Sequence, residues 1–295
     1  VSELVAVAEE VREAISSGRP VVALETTLVA HGFPAPEGVE VGLASEAAVR
    51  EAGAVPATVG VLDGRIRVGL SAGELARFTP DARKAGPRDL AACAATGATA
   101  ATTVGGVLSI ARAVGIRFLG TGGIGGVHRG YPAHPDVSAD LVALVSSPVL
   151  VACSGAKSLL DVPATIEYLE TLGVPVLGFR TDTLPLFYSA TGGPPVPQRV
   201  DDVRAAARIA AAHWQLGGCG VVLANPPAES LEVEDLVQSA LSEAVAQGVT
   251  GPGVTPFVLA FLHEHSGGRT LEVNRRLIVD NARLAAEVSV AFAAL

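Results

Sequence analysis

Only Lys84 and Lys157 among the 21 Lys and Arg residues are lysine. Arginine keeps its proton in a protein and cannot form an imine, whereas a desolvated lysine amine can do both. A composition rich in Ala, Gly, Val and Arg looks like a coding bias that has replaced every dispensable lysine. The two that escaped are candidates for chemistry that arginine cannot perform; chance survival of two surface lysines is the plain alternative. Lys157 stands in Ser154-Gly155-Ala156-Lys157-Ser158, directly after the apolar run Val149-Leu150-Val151-Ala152-Cys153, where apolar walls favour a neutral amine and hence a Schiff base. Glu25 follows a similar run, Val21-Val22-Ala23-Leu24, and is a candidate general acid or base. A capping or ion-paired glutamate fits the same position.

A third cluster lies between these two. Gly120-Thr121-Gly122-Gly123-Ile124-Gly125-Gly126-Val127-His128-Arg129-Gly130 contains G-x-G-x-x-G. The dinucleotide fingerprint needs its last glycine to open a helix, and Tyr131-Pro132-Ala133-His134-Pro135 is a poor helix. A backbone nest for a phosphate is expected instead, with Thr121 and His128 as added donors; a tight loop with a solvated histidine is the competing account. Asp136 and Asp140 then end the loop and open a helix. Two acids beside an anion suggest a hard divalent cation, Mg²⁺ or Mn²⁺, although helix capping by Asp136 or Ser138 explains the same pattern.

The elements that must position these residues can be read from periodicity. Short apolar runs at 21–24, 58–62, 116–119, 149–153, 174–179 and 220–223 read as buried strands, and amphipathic stretches at 39–51, 103–114, 164–172, 203–214 and 231–246 as helices. The alternation predicts a three-layer α/β/α sandwich. Its sheet is largely parallel but mixed, because Asp63-Gly64 between apolar runs marks a tight hairpin. No repeat or linker divides residues 1–295, so one domain is expected. A class I aldolase barrel would need eight regular strand–helix units, which are not evident.

The 295 residues are 49% hydrophobic and 17% charged, with a formal charge of -9. No basic cluster offers a field for nucleic acid. No apolar stretch reaches the roughly 20 residues of a membrane span, and Val1-Ser2-Glu3-Leu4 does not begin a secretory signal, so a cytoplasmic location is expected. Cys93, Cys153 and Cys219 lack metal-site spacing and read as reduced core residues.

Taken in order, Ala23-Leu24-Glu25-Thr26-Thr27, His31-Gly32-Phe33-Pro34, Gly53-Ala54-Val55-Pro56-Ala57-Thr58, the glycine-rich segment 121–130, Ser138-Ala139-Asp140, Gly155-Ala156-Lys157-Ser158 and Ala224-Asn225-Pro226 resemble the pseudouridine-5′-phosphate glycosidases, also called indigoidine-synthase-A-like. The resemblance spans nearly the whole chain. It implies an α/β/α sandwich, a homotrimer, a divalent cation (usually Mn²⁺) and reversible joining of ribose 5-phosphate to uracil. By matching motif, Lys157 resembles the Schiff-base lysine, Glu25 the proton donor, Lys84 a second active-site lysine at the ribose phosphate, and Asp136 the metal ligand. Ser138, Ala139 and Asp140 resemble contacts to substrate and metal-bound water; Thr103, Val104, Thr121 and His128 fall in substrate-binding segments, and Asn274 resembles an asparagine that reaches the site.

Three departures from the family pattern concern the acceptor. Glu25-Thr26-Thr27 replaces Glu-Ser-Thr, Gly86-Pro87-Arg88-Asp89 replaces a bulkier basic segment, and Gly105-Gly106 replaces small hydroxyl residues. Glycines there would widen the acceptor pocket. A branch of the family that joins ribose 5-phosphate to an aromatic polyketide in antibiotic synthesis is therefore a second expectation, and a sugar-phosphate binding protein without turnover a third, weakened by the presence of Glu25, Lys84 and Lys157.

Overall fold

The computed structural model describes residues 4–131, 133 and 135–295. Val1, Ser2 and Glu3, on which the reading of the amino terminus rests, and Pro132 and His134, within the stretch expected to resist helix formation, lie outside the described residues. In chain order the elements are β1 (Val5–Val7), α1 (Glu9–Ser16), β2 (Val21–Leu24), α2 (Thr27–His31), α3 (Glu37–Glu51), β3 (Val55–Leu62), β4 (Arg65–Val68), α4 (Ala72–Leu75), β5 (Arg83–Ala85), α5 (Leu90–Ala95), β6 (Ala100–Thr102), α6 (Val104–Val114) and β7 (Phe118–Gly120). There follow β8 (Val127–His128), α7 (Ala139–Ser146), β9 (Leu150–Cys153), β10 (Leu160–Asp161), α8 (Val162–Thr171), β11 (Val176–Phe179), β12 (Gln198–Val200), α9 (Val203–Gln215), β13 (Val221–Ala224), α10 (Glu234–Ala246), α11 (Val254–His265) and α12 (Arg269–Ala293).

The main path of the large sheet runs β1-β4-β3-β2-β7-β9-β13-β11-β12. From β3 to β12 neighbouring strands are parallel, while β4 and β6 are antiparallel to β3. The expected hairpin is present: Leu62 pairs with Arg65 across Asp63 and Gly64, both at positive φ (49° and 75°), the geometry of the tight turn that Asp-Gly favours.

The four residues of each central strand are buried on both faces, as a parallel sheet sandwiched by helices requires. Alternate side chains go to opposite cores. Ala23, Val151, Cys153 and Val222 join the cluster beneath α1, α6, α7 and α10. Val22, Leu150, Ala152 and Leu223 join the one beneath α9 and the later half of α12. Each buried Val or Leu contributes up to about 1.5–3 kcal/mol, which fixes strand register. The sheet is open, with β1 and β12 at its edges, and no barrel forms.

The structure differs from the expected pattern at the carboxy-terminal end. α11 and the 25-residue α12 were not anticipated, yet α12 packs against α3, α9 and strands β2, β7 and β9. Cys93 and Cys153 are buried as expected, but Cys219 is only half-buried, its Sγ facing the Gly173 carbonyl at 3.3 Å. No helix among the described residues is long and apolar enough to cross a membrane.

Candidate active site

β2 stops at Leu24, while its neighbour β3 continues to Leu62. β6 takes over the vacated edge, antiparallel to Gly60 and Val61, and carries β5 beside it. This seam brings Lys84, in β5, to Glu25. Threonine hydroxyls close it: Thr26 Oγ1 and Thr102 Oγ1 donate to Val59 O at 2.9 and 2.6 Å, and Thr27 Oγ1 donates to Thr102 O at 2.7 Å. The Thr26-Thr27 pair thus keeps the hydroxyls that a Ser-Thr pair would supply.

Glu25 is 6% exposed and accepts a hydrogen bond from Thr121 Oγ1 beyond β7. Burial holds its carboxyl above the usual range, against the opposing charge of Lys157, the Thr121 hydrogen bond and the Lys84 charge. A carboxyl held in that direction keeps its proton to higher pH than an exposed one and can deliver it to a substrate. Lys84 is half-buried, and burial together with the Lys157 charge pulls its ammonium down to about 8, with Glu25 opposing.

Lys157 follows β9 on an irregular segment. Gly155, at φ 79°, lies so close to the Pro185 carbonyl that a Cβ would overlap it. This is a position only glycine fills without strain. The glycine-rich segment after β7 runs alongside, and five of its amides are already engaged within the protein rather than open to a phosphate. Thr121 N donates to Ala152 O, Ile124 N to Gly155 O, Gly125 N to Asp140 Oδ2, Val127 N to Thr165 Oγ1 and His128 N to Asp136 O. Its glycines are needed for close packing: a Cβ on Gly123, Gly125 or Gly126 would collide with Phe187, Ser138 or Thr165.

These loops surround a cavity of about 1000 Å³ at the carboxyl ends of the strands, where open α/β sheets bind ligands. Glu25, Lys84 and Lys157 line both this cavity and a small, largely apolar side pocket of about 50 Å³, and so stand where the two meet. The sequence profile described as Indigoidine synthase A like protein matches residues 10–291. This chain belongs to the indigoidine synthase A-like family. A pseudouridine-5′-phosphate glycosidase of Myxococcus xanthus is 47% identical, covering 97% of each chain. One from Paracoccus denitrificans is also 47% identical, over 98% of this chain and 99% of that protein. Among solved structures, the prealnumycin C-glycosynthase AlnA in complex with ribulose 5-phosphate matches with a TM-score of 0.90 and 40% identity, covering 100% of this chain and 98% of that one. An indigoidine synthase A-like protein from Thermotoga maritima matches with a TM-score of 0.89 and 37% identity, over 98% and 97% of the two chains.

In this family member the fold gathers nearly all the residues singled out in the sequence. Thr103, His128, Asp136, Ser138, Ala139 and Asp140 line the large cavity, and Thr121 and Asn274 the side pocket. Val104 lines neither; it is the buried first residue of α6. Thr103 and Ser138 are N-caps of α6 and α7, accepting from Gly106 N and Asp140 N at 3.2 Å, so two positive helix ends face the cavity. Asp140 accepts from Gly105 N at 2.7 Å and Gly125 N at 2.8 Å, tying two glycine segments together. Gly105 and Gly106 do not open the pocket. They serve close packing, because a Cβ on Gly105 would lie 3.0 Å from Asp140 Oδ1 and one on Gly106 would overlap the Ala85 carbonyl. Gly86 and Pro87 do line the cavity.

Two residues important to the site escaped the sequence reading. His31 lines both cavities, and its Nε2 is buried with no hydrogen-bond partner among the described residues; its i,i+4 spacing from Thr27 on one helix face was the available signal. Asn281, fully buried on α12, donates to Thr121 O at 2.8 Å and Ser154 Oγ at 3.1 Å and accepts from Asn225 Nδ2 at 3.0 Å. It joins the loops after β7, β9 and β13.

Among the described residues there is no cluster of three or more His, Cys, Asp or Glu suited to a metal ion. The Asp136 carboxylate, 50% exposed, stands 3.9 Å from His128 Nδ1 on the cavity wall. One hard carboxylate with room for water suits a hydrated Mg²⁺ or Mn²⁺.

Proposed function

We propose that this enzyme reversibly cleaves the C–C glycosidic bond of pseudouridine 5′-phosphate, with Lys157 as nucleophile and Glu25 as proton donor. The observation that carries this reading is the meeting of a buried, proton-holding Glu25 with both lysines of the chain at the neck of one cavity. The names of its relatives agree: pseudouridine-5′-phosphate glycosidases are 47% identical across nearly the full length.

A C-glycoside has no heteroatom leaving group, so protonating the linking atom cannot by itself release the sugar. Glu25 gives its proton to the ring oxygen as the C1′–O bond breaks, and the Lys157 amine adds to C1′, losing a proton. The Lys157 nitrogen lone pair then forms C1′=N. C5 takes up a proton, balancing the one lost by the Lys157 nitrogen, and the C1′–C5 bond breaks with its electron pair staying on the base. Water adds to the iminium, frees the amine and leaves open-chain ribose 5-phosphate. Running backwards, the same steps build the bond. Lys84 and the two helix N-termini face the sugar phosphate. Asp136 would hold a divalent cation, which would supply positive charge beside the phosphate.

The side pocket, at about 50 Å³ too small for a whole pyrimidine, would take one edge of the base: it is largely apolar, and Asn274 Oδ1 lies buried there without a partner among the described residues, free to accept from a ring N–H. A larger aromatic acceptor is the second reading, favoured by the cavity of about 1000 Å³ with Gly86 and Pro87 in its wall and by the likeness to a C-glycosynthase. Borohydride reduction with ribose 5-phosphate, followed by peptide mapping, tests the nucleophile. A ribose adduct on Lys157, lost in Lys157→Arg because the amine can no longer deprotonate, is the expected result; an adduct retained in that variant assigns the imine elsewhere. Uracil release from pseudouridine 5′-phosphate separates the acceptors, since an enzyme that forms the ribose imine but releases no uracil takes the larger ring.

A further inference from the structure

Lys157 sits between β9 and β10, in a segment just past two isolated β-bridges and outside any helix or strand. Its inner end is held by Lys157 N donating to Ile124 O at 3.2 Å and by the bridge between Ile124 and Ala156. Its outer end is held by the pairing of β10 with β8, Leu160 opposite His128, and by a side chain. Arg129 Nη2 donates to Ser158 O at 2.9 Å and Nε to Leu160 O at 3.3 Å, and Leu160 N in turn donates to Lys157 O at 3.0 Å. The guanidinium is aimed by Glu234, the first residue of α10, whose carboxylate receives Nη1 at 2.7 Å and Nη2 at 3.1 Å. Four N–H groups of the fork are thereby used, a pattern that a lysine with one rotating ammonium cannot copy.

We infer that Arg129, oriented by Glu234, is a positioning residue that sets the approach of the Lys157 amine to C1′. Arg129 lines neither cavity, so it acts through Lys157 rather than on the substrate. The inference rests on Lys157 being the nucleophile. Glu234 also opens the α10–α11 hairpin, which supplies Thr255 and Pro256 to both cavities, so the same pair relates the lysine to the roof above it.

The test is the rate of ribose 5-phosphate imine formation, read by borohydride quench and peptide mapping over a range of sugar concentrations, with melting temperatures alongside. Misplacing a reacting group by about 1 Å costs up to about 100-fold in rate. Arg129→Gln is expected to slow trapping about 10- to 100-fold at saturating sugar, with the half-saturating concentration changed less than about twofold. Arg129→Lys is expected to recover only part of the rate, and Glu234→Gln to lie between. A folded Arg129→Gln that traps at the wild-type rate overturns the inference, as does a loss confined to the half-saturating concentration. If that variant does not fold, a slowed rate at saturation in both Arg129→Lys and Glu234→Gln supports the inference, and a wild-type rate in either overturns it. A wild-type enzyme with no adduct on Lys157 overturns the nucleophile reading along with it, whereas a wild-type adduct with unslowed variants overturns the positioning role alone.

Discussion

Glu25 and Lys84 are bent in opposite directions by one environment. Burial lifts the Glu25 carboxyl and lowers the Lys84 ammonium to about 8, because low polarity disfavours the charged form of either. For Glu25 the folded state holds its proton to higher pH than the unfolded chain does. The stability this contributes is complete below the ordinary carboxyl value and is lost as pH rises through the raised one. Glu25→Gln, which never ionises, should therefore melt higher than the wild type by a margin that grows as pH rises above the ordinary carboxyl range. Parallel melting curves with a constant offset would show that Glu25 does not titrate abnormally. Lys84 makes the complementary prediction in binding. KM for the sugar phosphate should rise as pH climbs through about 8, because the charge facing the phosphate disappears, and Lys84→Arg should flatten that rise. A pH-independent KM in the wild type would remove Lys84 from the phosphate site. Both lysines and Glu25 were legible in the sequence because arginine bias and strand-end position exposed them; His31 was not, because a histidine's orphaned nitrogen is a fact of packing.

The elements tell a similar story of what local pattern can and cannot reveal. Strands of continuous apolar residues and the Asp63-Gly64 hairpin were readable, since each obeys a short-range rule. α12 was not, because its buried face carries Asn274, Asn281 and Ser289 as well as apolar residues, which weakens the helical signal. Those polar positions are what the helix is for. Asn281 answers a carbonyl, a hydroxyl and an amide from three different loops, none of which lies near it in sequence. Asn281→Leu should fill the space but strand those groups, costing about 2–4 kcal/mol in a urea titration. Activity should fall too, since Thr121, which steadies Glu25, loses its anchor. Unchanged stability would mean that the three loops hold themselves. The glycine segment shows a related limit: its composition fits a phosphate nest, and only the structure shows that Gly123, Gly125 and Gly126 also serve close packing.

At the scale of the whole molecule, the sandwich expected from alternating strands and helices is the one observed, and the site lies at the sheet edge where the strand ends pointed. What the sequence could not show is the seam at which β6 replaces β2 along β3, because such a handover is a matter of three-dimensional twist and leaves no periodic trace. The α10–α11 hairpin joins this framework at its margin, through Val237 and Ala240 of α10 and Val258 and Leu262 of α11. α11 packs mainly on α10, with lesser contact to α12, yet Thr255, Pro256 and Leu259 face the substrate cavities. Glu25 and Lys157 thus stand at strand ends that cannot drift without undoing the core, while Thr255, Pro256 and Leu259 of the cavity wall sit on a hairpin outside the sheet. For evolution this is a cassette: on the proposed reading, mutation can vary the carbon acceptor along α11 while Glu25 and Lys157 at the strand ends are inherited intact.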